Sequence, residues 1–211
     1  MTFLALSTMG LLIPLNSLFS GIGVIVDRQQ GAMRELLVAP IRRSSIVLGN
    51  LAAALAITAV QTLVLIGLSV ARGANYVTGT HVFWFVGATL VFAVLMSALA
   101  GILATRLPSA EAYTGAIPVF AIVPYFFAGS LFPITALPNW LEAVAKVLPL
   151  THALALIRYG LTPSSGATAL HHIWGMSNVT EMAVLSSAVL VAYALLAYAG
   201  AIRLFSKAGT S

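Results

Sequence analysis

Residues 1–26 read MTFLALSTMGLLIPLNSLFSGIGVIV, a run that contains no charged side chain. A helix that crosses the hydrocarbon core of a membrane needs about 20 consecutive apolar residues, so this run is long enough to span. Four more charge-free runs follow, at residues 44–71, 73–105, 112–141 and 182–202. The sequence therefore predicts one all-α transmembrane domain over residues 1–211, with about five spans near 3–26, 47–71, 82–105, 113–132 and 181–203.

The composition of the whole chain supports this prediction. Of its 211 residues, 60% are hydrophobic and only 7% are charged, and the mean hydropathy is +1.03. A soluble domain needs about a quarter of its residues charged to cover its surface. The net charge is +5, but the basic residues are scattered over loop-like stretches, which favours a role in membrane topology over nucleic-acid binding. The chain contains no cysteine, which excludes disulfides and thiolate metal sites and fits a bacterial inner membrane.

Lysine and arginine set the orientation, because cytoplasmic loops of membrane proteins are enriched in both. Five spans place two sets of basic residues on opposite sides. We predict that the larger set is cytoplasmic, so that the C-terminus lies inside the cell and Met1 outside. The larger set is Arg28, Arg34, Arg42, Arg43, Arg106, Arg203 and Lys207, and the smaller set is Arg72, Lys146 and Arg158.

The predicted cytoplasmic loop at residues 27–46 carries six of the fifteen charges. Its Gly31–Val38 stretch suits a short amphipathic helix, with Met33, Leu36 and Leu37 on one face. Pro40 disfavours helix at the preceding residue and should end it. Such a helix has two interpretations, since it can rest on lipid or dock into a cytoplasmic partner.

The predicted external segment at residues 133–180 is apolar in part. Leu137, Trp140 and Val144 begin a stripe with helical spacing, which Pro149 interrupts, and a second stripe that includes Arg158 follows. Neither stretch is long enough to span. We predict two short amphipathic helices that dip into the outer leaflet, followed by an external loop that contains His171 and His172.

Several kinds of chemistry have no motif in this sequence. There is no Gly-rich phosphate loop and no nucleophile elbow, so we predict no catalytic residue and no ATP bound by this chain. The adjacent histidines do not share a helix face, and we predict no metal site. The predicted spans have no ionisable residue in their central portions, which argues against proton-coupled transport and favours an external energy source.

Some residues within the predicted spans are candidates for a substrate path. Asn16 and Gln61 are polar side chains that could face a cavity, although most polar residues in spans make interhelical hydrogen bonds. The fourth span is kinked by prolines and rich in aromatic rings, which could line a hydrophobic exit or face lipid. The full candidate set is Asn16, Gln61, Phe120, Tyr125, Phe126 and Phe127.

Two motifs resemble the permease subunits of type-2 ABC exporters, of the daunorubicin type and the nodulation-factor type. One is the order acid-basic-x-x-Gly-Ala-x-Arg-Glu-Leu-Leu-x-x-Pro from residue 27. The other comprises Phe-x-Ala-Gly-Ser-Leu-Phe-Pro, Leu-Pro-x-Trp-Leu and Leu-Pro-Leu-Thr-His-Ala-Leu-x-Leu-Ile-Arg between residues 126 and 158. Such permeases have a six-span design, and we expect this chain to lack the first span and its external loop.

The resemblance assigns roles to both motifs. It implies that the first motif is a coupling helix that contacts an ATPase, through Asp27, Arg28, Gly31, Ala32, Arg34, Glu35, Leu36, Leu37 and Pro40. It implies that the second is an external re-entrant region, marked by Pro133, Pro138, Trp140, Pro149, His152 and Arg158.

Taken together, the residues and the resemblance predict the permease subunit of an ATP-driven exporter. Its cargo would be amphipathic or hydrophobic, with drug or antibiotic efflux favoured and lipid or glycolipid export next. The expected partners are two ATPase subunits, which carry ATP and Mg²⁺, a second permease copy and membrane lipid. A secondary carrier or channel and a non-transporting membrane scaffold remain alternatives.

Overall fold

The computed structural model describes residues 2–29 and 43–207, except for the side chains of residues 27, 28, 43–48, 50 and 205–207. Within these ranges the chain forms α-helices, one short 3₁₀ helix and no strand. The 3₁₀ helix is Ile134–Ala136. The α-helices are α1 (Thr2–Gln29), α2 (Arg43–Ala71), α3 (Val82–Arg106), α4 (Ala110–Phe127), α5 (Asn139–Val147), α6 (Pro149–Leu161), α7 (Pro163–Trp174) and α8 (Val179–Lys207).

Five of these helices, α1 to α4 and α8, are long and apolar enough to cross a membrane. The prediction of an all-α membrane protein with about five spans is therefore confirmed. The fourth helix occupies residues 110–127 rather than 113–132. It begins early because the Ser109 hydroxyl accepts a hydrogen bond from the Ala112 amide at 3.2 Å. It ends early because the chain turns at Gly129, whose φ of 79° favours glycine.

Helix α3 lies at the centre of the bundle and packs against α1, α2, α6 and α8. Its neighbours bury side chains around much of its circumference, among them Phe85, Phe92 and Met96. Its remaining face, which includes Phe83 and Leu90, is exposed and is also apolar. Helix α3 consequently shows no distinct polar face, and its central position cannot be predicted from its hydropathy pattern.

Helices α2 and α4 lie at the periphery. Helix α2 packs against α1 and α3, whereas α4 packs chiefly against α1. Both leave apolar side chains such as Leu63, Leu68 and Val119 exposed. Lipid tails are as apolar as these side chains, so such exposure carries no penalty in a membrane. Helix α4 is joined to α1 by the buried Tyr113 hydroxyl, which donates to the Leu18 carbonyl at 2.7 Å.

Helices α5 to α7 form the connection between α4 and α8. Prolines mark where these helices begin: Pro138 precedes α5, Pro149 is the first residue of α6 and Pro163 is the first residue of α7. The N–H groups in the first turn of a helix have no partner within the helix. Proline therefore suits this position, because its lack of an N–H group loses no hydrogen bond there. The predicted interruption at Pro149 is thus the start of a new helix.

The predicted loop at His171 and His172 is wrong, because both residues belong to α7. The helix continues to Trp174 and is terminated by Gly175, which has a left-handed φ of 69°. The His171 side chain bonds to the chain just beyond this end, since its Nδ1 lies 3.0 Å from the Met176 carbonyl oxygen.

Candidate functional site

Helices α5 and α6 form a bent pair, with an angle of 74° between their axes. Such a pair is either a broken span or a re-entrant loop. Helix α5 is amphipathic as predicted: Trp140 and Val144 are exposed, and Glu142 forms an ion pair with Lys146 at 2.8 Å. Its apolar face is therefore available to lipid.

Helix α6 differs from the amphipathic pattern that we predicted for it. Every residue from Leu150 to Leu161 is buried, because α6 packs against α3, α7 and α8 at once. A Cβ atom added at Gly160 would lie only 2.5 Å from Phe85 Cβ and 2.8 Å from Phe85 Cα. A side of the helix next to the leucine stripe is thus covered by the α3 backbone, and α6 is enclosed by protein.

His152 fastens the corner between α5 and α6. Its Nε2 lies 3.0 Å from the Lys146 carbonyl oxygen, and its Nδ1 lies 3.2 Å from the Ser186 hydroxyl of α8. A carbonyl only accepts, so Nε2 carries the proton and Nδ1 of the neutral ring accepts from Ser186. The same hydroxyl accepts from Trp174 Nε1 at 2.8 Å. This chain of hydrogen bonds joins α5, α6, α7 and α8.

Arg158 is the one buried cation among the described side chains, with 6% of its surface exposed. Its Nη2 donates to the Ser7 hydroxyl at 3.0 Å and to the Ser130 carbonyl oxygen at 3.2 Å. Its guanidinium carbon lies 4.4 Å from the centre of the Phe3 ring. The side chain therefore links α6 to the start of α1 and to the α4–α5 connection.

A cleft of about 230 Å³ opens beside this arginine. It lies between α6 and α7, the start of α1 and the α4–α5 connection. Of the residues predicted to mark a re-entrant region, Pro133 and Arg158 line it. Pro138 precedes α5, Pro149 begins α6, Trp140 is exposed and His152 faces α8.

The predicted substrate-path residues fall in three places. Asn16 and Gln61 are half-buried and bond to each other, Nδ2 to Oε1, between α1 and α2. This arrangement is the interhelical hydrogen bond that was the alternative to a polar cavity. Phe120 and Phe126 are exposed on α4, away from the bundle. Tyr125 and Phe127 are half-buried at the end of the same helix.

The predicted coupling residues lie largely outside the described residues. Gly31 through Pro40 fall between the two described ranges, and their role stays a prediction. Asp27 and Arg28 lie in the last turns of α1, which extends to Gln29. The helix therefore continues past residue 26, where we placed the end of the first span.

Three residues that contact Arg158 were not predicted from the sequence: Phe3, Ser7 and Ser130. Ser7 and Ser130 are separated from Arg158 by 151 and 28 positions along the chain. Nothing local connects them. The available signal was the arginine itself, since a cation within an apolar stretch needs polar partners from elsewhere in the fold.

The bundle of five apolar helices around a buried connection defines a multi-pass membrane protein. Residues 1–162 match the family model described as ABC-2 type transporter. The chain belongs to this family, whose members are membrane components of ABC transporters and normally work with an ATPase subunit.

Curated relatives agree with this assignment. The chain is 28% identical to "Putative transport permease ycf38" of Porphyra purpurea, with 68% of this chain and 50% of the relative covered. It is 26% identical to "Probable doxorubicin resistance ABC transporter permease protein DrrC" of Mycobacterium tuberculosis, with 68% and 52% covered. The chain spans about half the length of the curated relatives that it matches. No solved structure matches it.

Proposed function

We propose that this chain is the permease subunit of an ATP-driven exporter that moves amphipathic or hydrophobic compounds. The observation that carries the proposal is the family match over residues 1–162. Drug or antibiotic efflux is the favoured activity, because one relative is named as a probable doxorubicin resistance permease. Lipid or glycolipid export is the next candidate.

The energy for transport would come from a partner. The spans have no charged residue in their central portions and the sequence contains no phosphate loop. A proton-coupled carrier needs an intramembrane ionisable group, and an ATPase needs a nucleotide site. Two ATPase subunits that carry ATP and Mg²⁺ would supply this energy. They would dock beneath two permease copies that pair about a two-fold axis.

The contact with the ATPase is assigned to the loop that follows α1. In this proposal Arg34 and Glu35 make polar contacts to the ATPase, and Leu36 and Leu37 anchor the coupling helix by burial. Asp27 and Arg28 extend α1 toward this contact. The permeases would alternate between an inward-facing and an outward-facing state. ATP binding can shift this equilibrium only if the ATPase subunits bind the two states with different affinity.

The test replaces Glu35 and Leu36 together by alanine in the permease–ATPase complex reconstituted in liposomes. We expect the variant to insert into the membrane but to lose substrate-stimulated ATP hydrolysis. A matched control replaces Glu181 and Leu185, an acid and a leucine that are exposed at the other end of the bundle. Retained stimulation in the first variant would refute the coupling role.

We further propose that the protein resides in the bacterial inner membrane with its C-terminus in the cytoplasm. The cysteine-free sequence makes this testable with single introduced cysteines. A cysteine at Ser164, exposed on α7, should react with an impermeant maleimide in intact cells, and a cysteine at Ser44 should react only after lysis. Labelling of Ser44→Cys in intact cells would place the coupling loop outside, where no ATPase could reach it.

A further inference from the structure

Arg158, which lines the cleft, is a cation whose charge is not balanced. A guanidinium remains protonated in proteins and offers five N–H donors. Two described contacts use Nη2, and both go to neutral oxygens, of Ser7 and Ser130. The Nε–H group is buried and has no acceptor among the described residues, and neither does the buried Ser130 hydroxyl. Two polar groups next to the cleft are therefore left without partners.

No described carboxylate can supply the missing charge. None lines the cleft. Glu142 pairs with Lys146, and Glu181 accepts from Asn178 Nδ2 at 2.9 Å. Glu111 lies at the opposite end of α4, 16 residues before Phe127, which is about 24 Å along a helix. A buried ion without a counter-charge is strongly unfavourable, so the site favours an external anion.

The lining of the cleft indicates what kind of anion fits. Phe3, Ile134 and Ile173 supply apolar surface, whereas Ser165 and His172 add polar groups near Arg158. The volume of about 230 Å³ is smaller than the roughly 300–1,000 Å³ of pockets that enclose a drug-sized ligand. It therefore suits a headgroup whose apolar tail continues outside the cleft. Planar guanidinium groups bind the oxygens of phosphate in pairs.

We infer that this cleft binds the phosphate headgroup of a membrane amphiphile, with Arg158 as the main ligand. By the predicted orientation, the cleft lies at the external end of the bundle, where phospholipid headgroups are found. Binding of this kind requires neither the ATPase nor transport, so it stands independently of the proposed exporter function. A free phosphate ion shares the same chemistry, and the experiment separates the two sources.

The test measures binding to the purified, delipidated permease in a neutral maltoside detergent, from the shift in Tm during titration. The probes are decyl phosphate, inorganic phosphate and decanol. We expect decyl phosphate to bind saturably and far more tightly than either of the other two. Arg158→Gln should weaken binding of decyl phosphate by about tenfold or more, because charge-assisted hydrogen bonds are lost. Arg72→Gln, which removes an exposed cation from the same side, should bind as the wild type does.

A second variant keeps the inference testable if Arg158→Gln does not fold. Ala169→Phe fills the cleft from α7 and leaves Arg158 in place, so it should also weaken binding of decyl phosphate. Unchanged affinity in a folded variant of either kind would overturn the inference, as would absence of saturable binding to the wild type. Equal affinity for inorganic phosphate would identify a site for the free ion and refute the amphiphile.

Discussion

Replacement of Gly160 by alanine should separate α6 from α3 and destabilise the protein. The added Cβ would lie 2.5 Å from Phe85 Cβ and 2.8 Å from Phe85 Cα. Carbon atoms at optimal separation are about 3.5–4.0 Å apart, so the two helices would have to move by roughly 1 Å. The backbone of Phe85 cannot rotate away as a flexible side chain could. The strain should therefore be distributed over the whole α3–α6 contact.

The expected loss in the free energy of unfolding follows from two opposing effects. Overpacking of a well-packed core costs about 1–3 kcal/mol, and contact with a backbone belongs at the upper end of that range. Alanine is favoured over glycine in a helix by about 1 kcal/mol, which offsets part of the cost. The net loss is about 2 kcal/mol. For a chain of 150–250 residues this corresponds to a fall in Tm of about 4–8 °C.

The assay is thermal unfolding of the purified permease in detergent, followed by the fluorescence of its three tryptophans. Two matched substitutions calibrate the result. Gly67→Ala on α2, where an added Cβ meets nothing within 4 Å, should leave Tm unchanged or raise it slightly. Gly10→Ala would meet the end of the Leu154 side chain, which can rotate, and should fall between the two. A Tm for Gly160→Ala equal to that of Gly67→Ala would refute the close approach of α6 and α3.

Two further predictions test hydrogen bonds that join the spans. Tyr113→Phe should lower the free energy of unfolding by about 1–2 kcal/mol, because the buried bond to the Leu18 carbonyl is lost; a Tm within experimental error of the wild type would contradict this. Asn16→Leu and Gln61→Leu should each destabilise by about 1 kcal/mol, while the double variant should cost less than the sum of both, since no unpaired group remains. Additive losses in Tm measurements would show that the two amides do not interact.

The positions of the spans could be predicted from the sequence, because a charge-free run of sufficient length has few structural alternatives to a membrane span. The exact ends of the helices were harder to predict. The fourth helix begins at Ala110 because Ser109 caps it, and a cap of this kind is a local signal that hydropathy alone does not use. The proline positions carried similar local information, and Pro149 correctly indicated a break.

The enclosure of α6 could not be predicted in the same way. Its leucine stripe is typical of an amphipathic helix, and Ala153, Ala155 and Gly160 on other faces gave no sign of burial. These small residues are buried because α3, α7 and α8 approach closely on several sides. Such an approach depends on residues such as Phe85, which is 75 positions away in the chain. A hydropathy pattern contains no information about a contact of that range.

Apolar residues in this protein do not distinguish the core from the lipid-facing surface. Phe92 is fully buried in α3, whereas Phe83 at the start of the same helix is 78% exposed. Both positions are equally apolar, since protein interior and lipid are similar solvents. Polar side chains that bond to another helix are more informative, because each such bond needs a partner on the facing helix. Asn16 of α1 donates to Gln61 of α2, and Ser7 of α1 accepts from Arg158 of α6. In a chain of this composition, polar side chains with a partner on another helix are therefore the better guide to which helix faces meet.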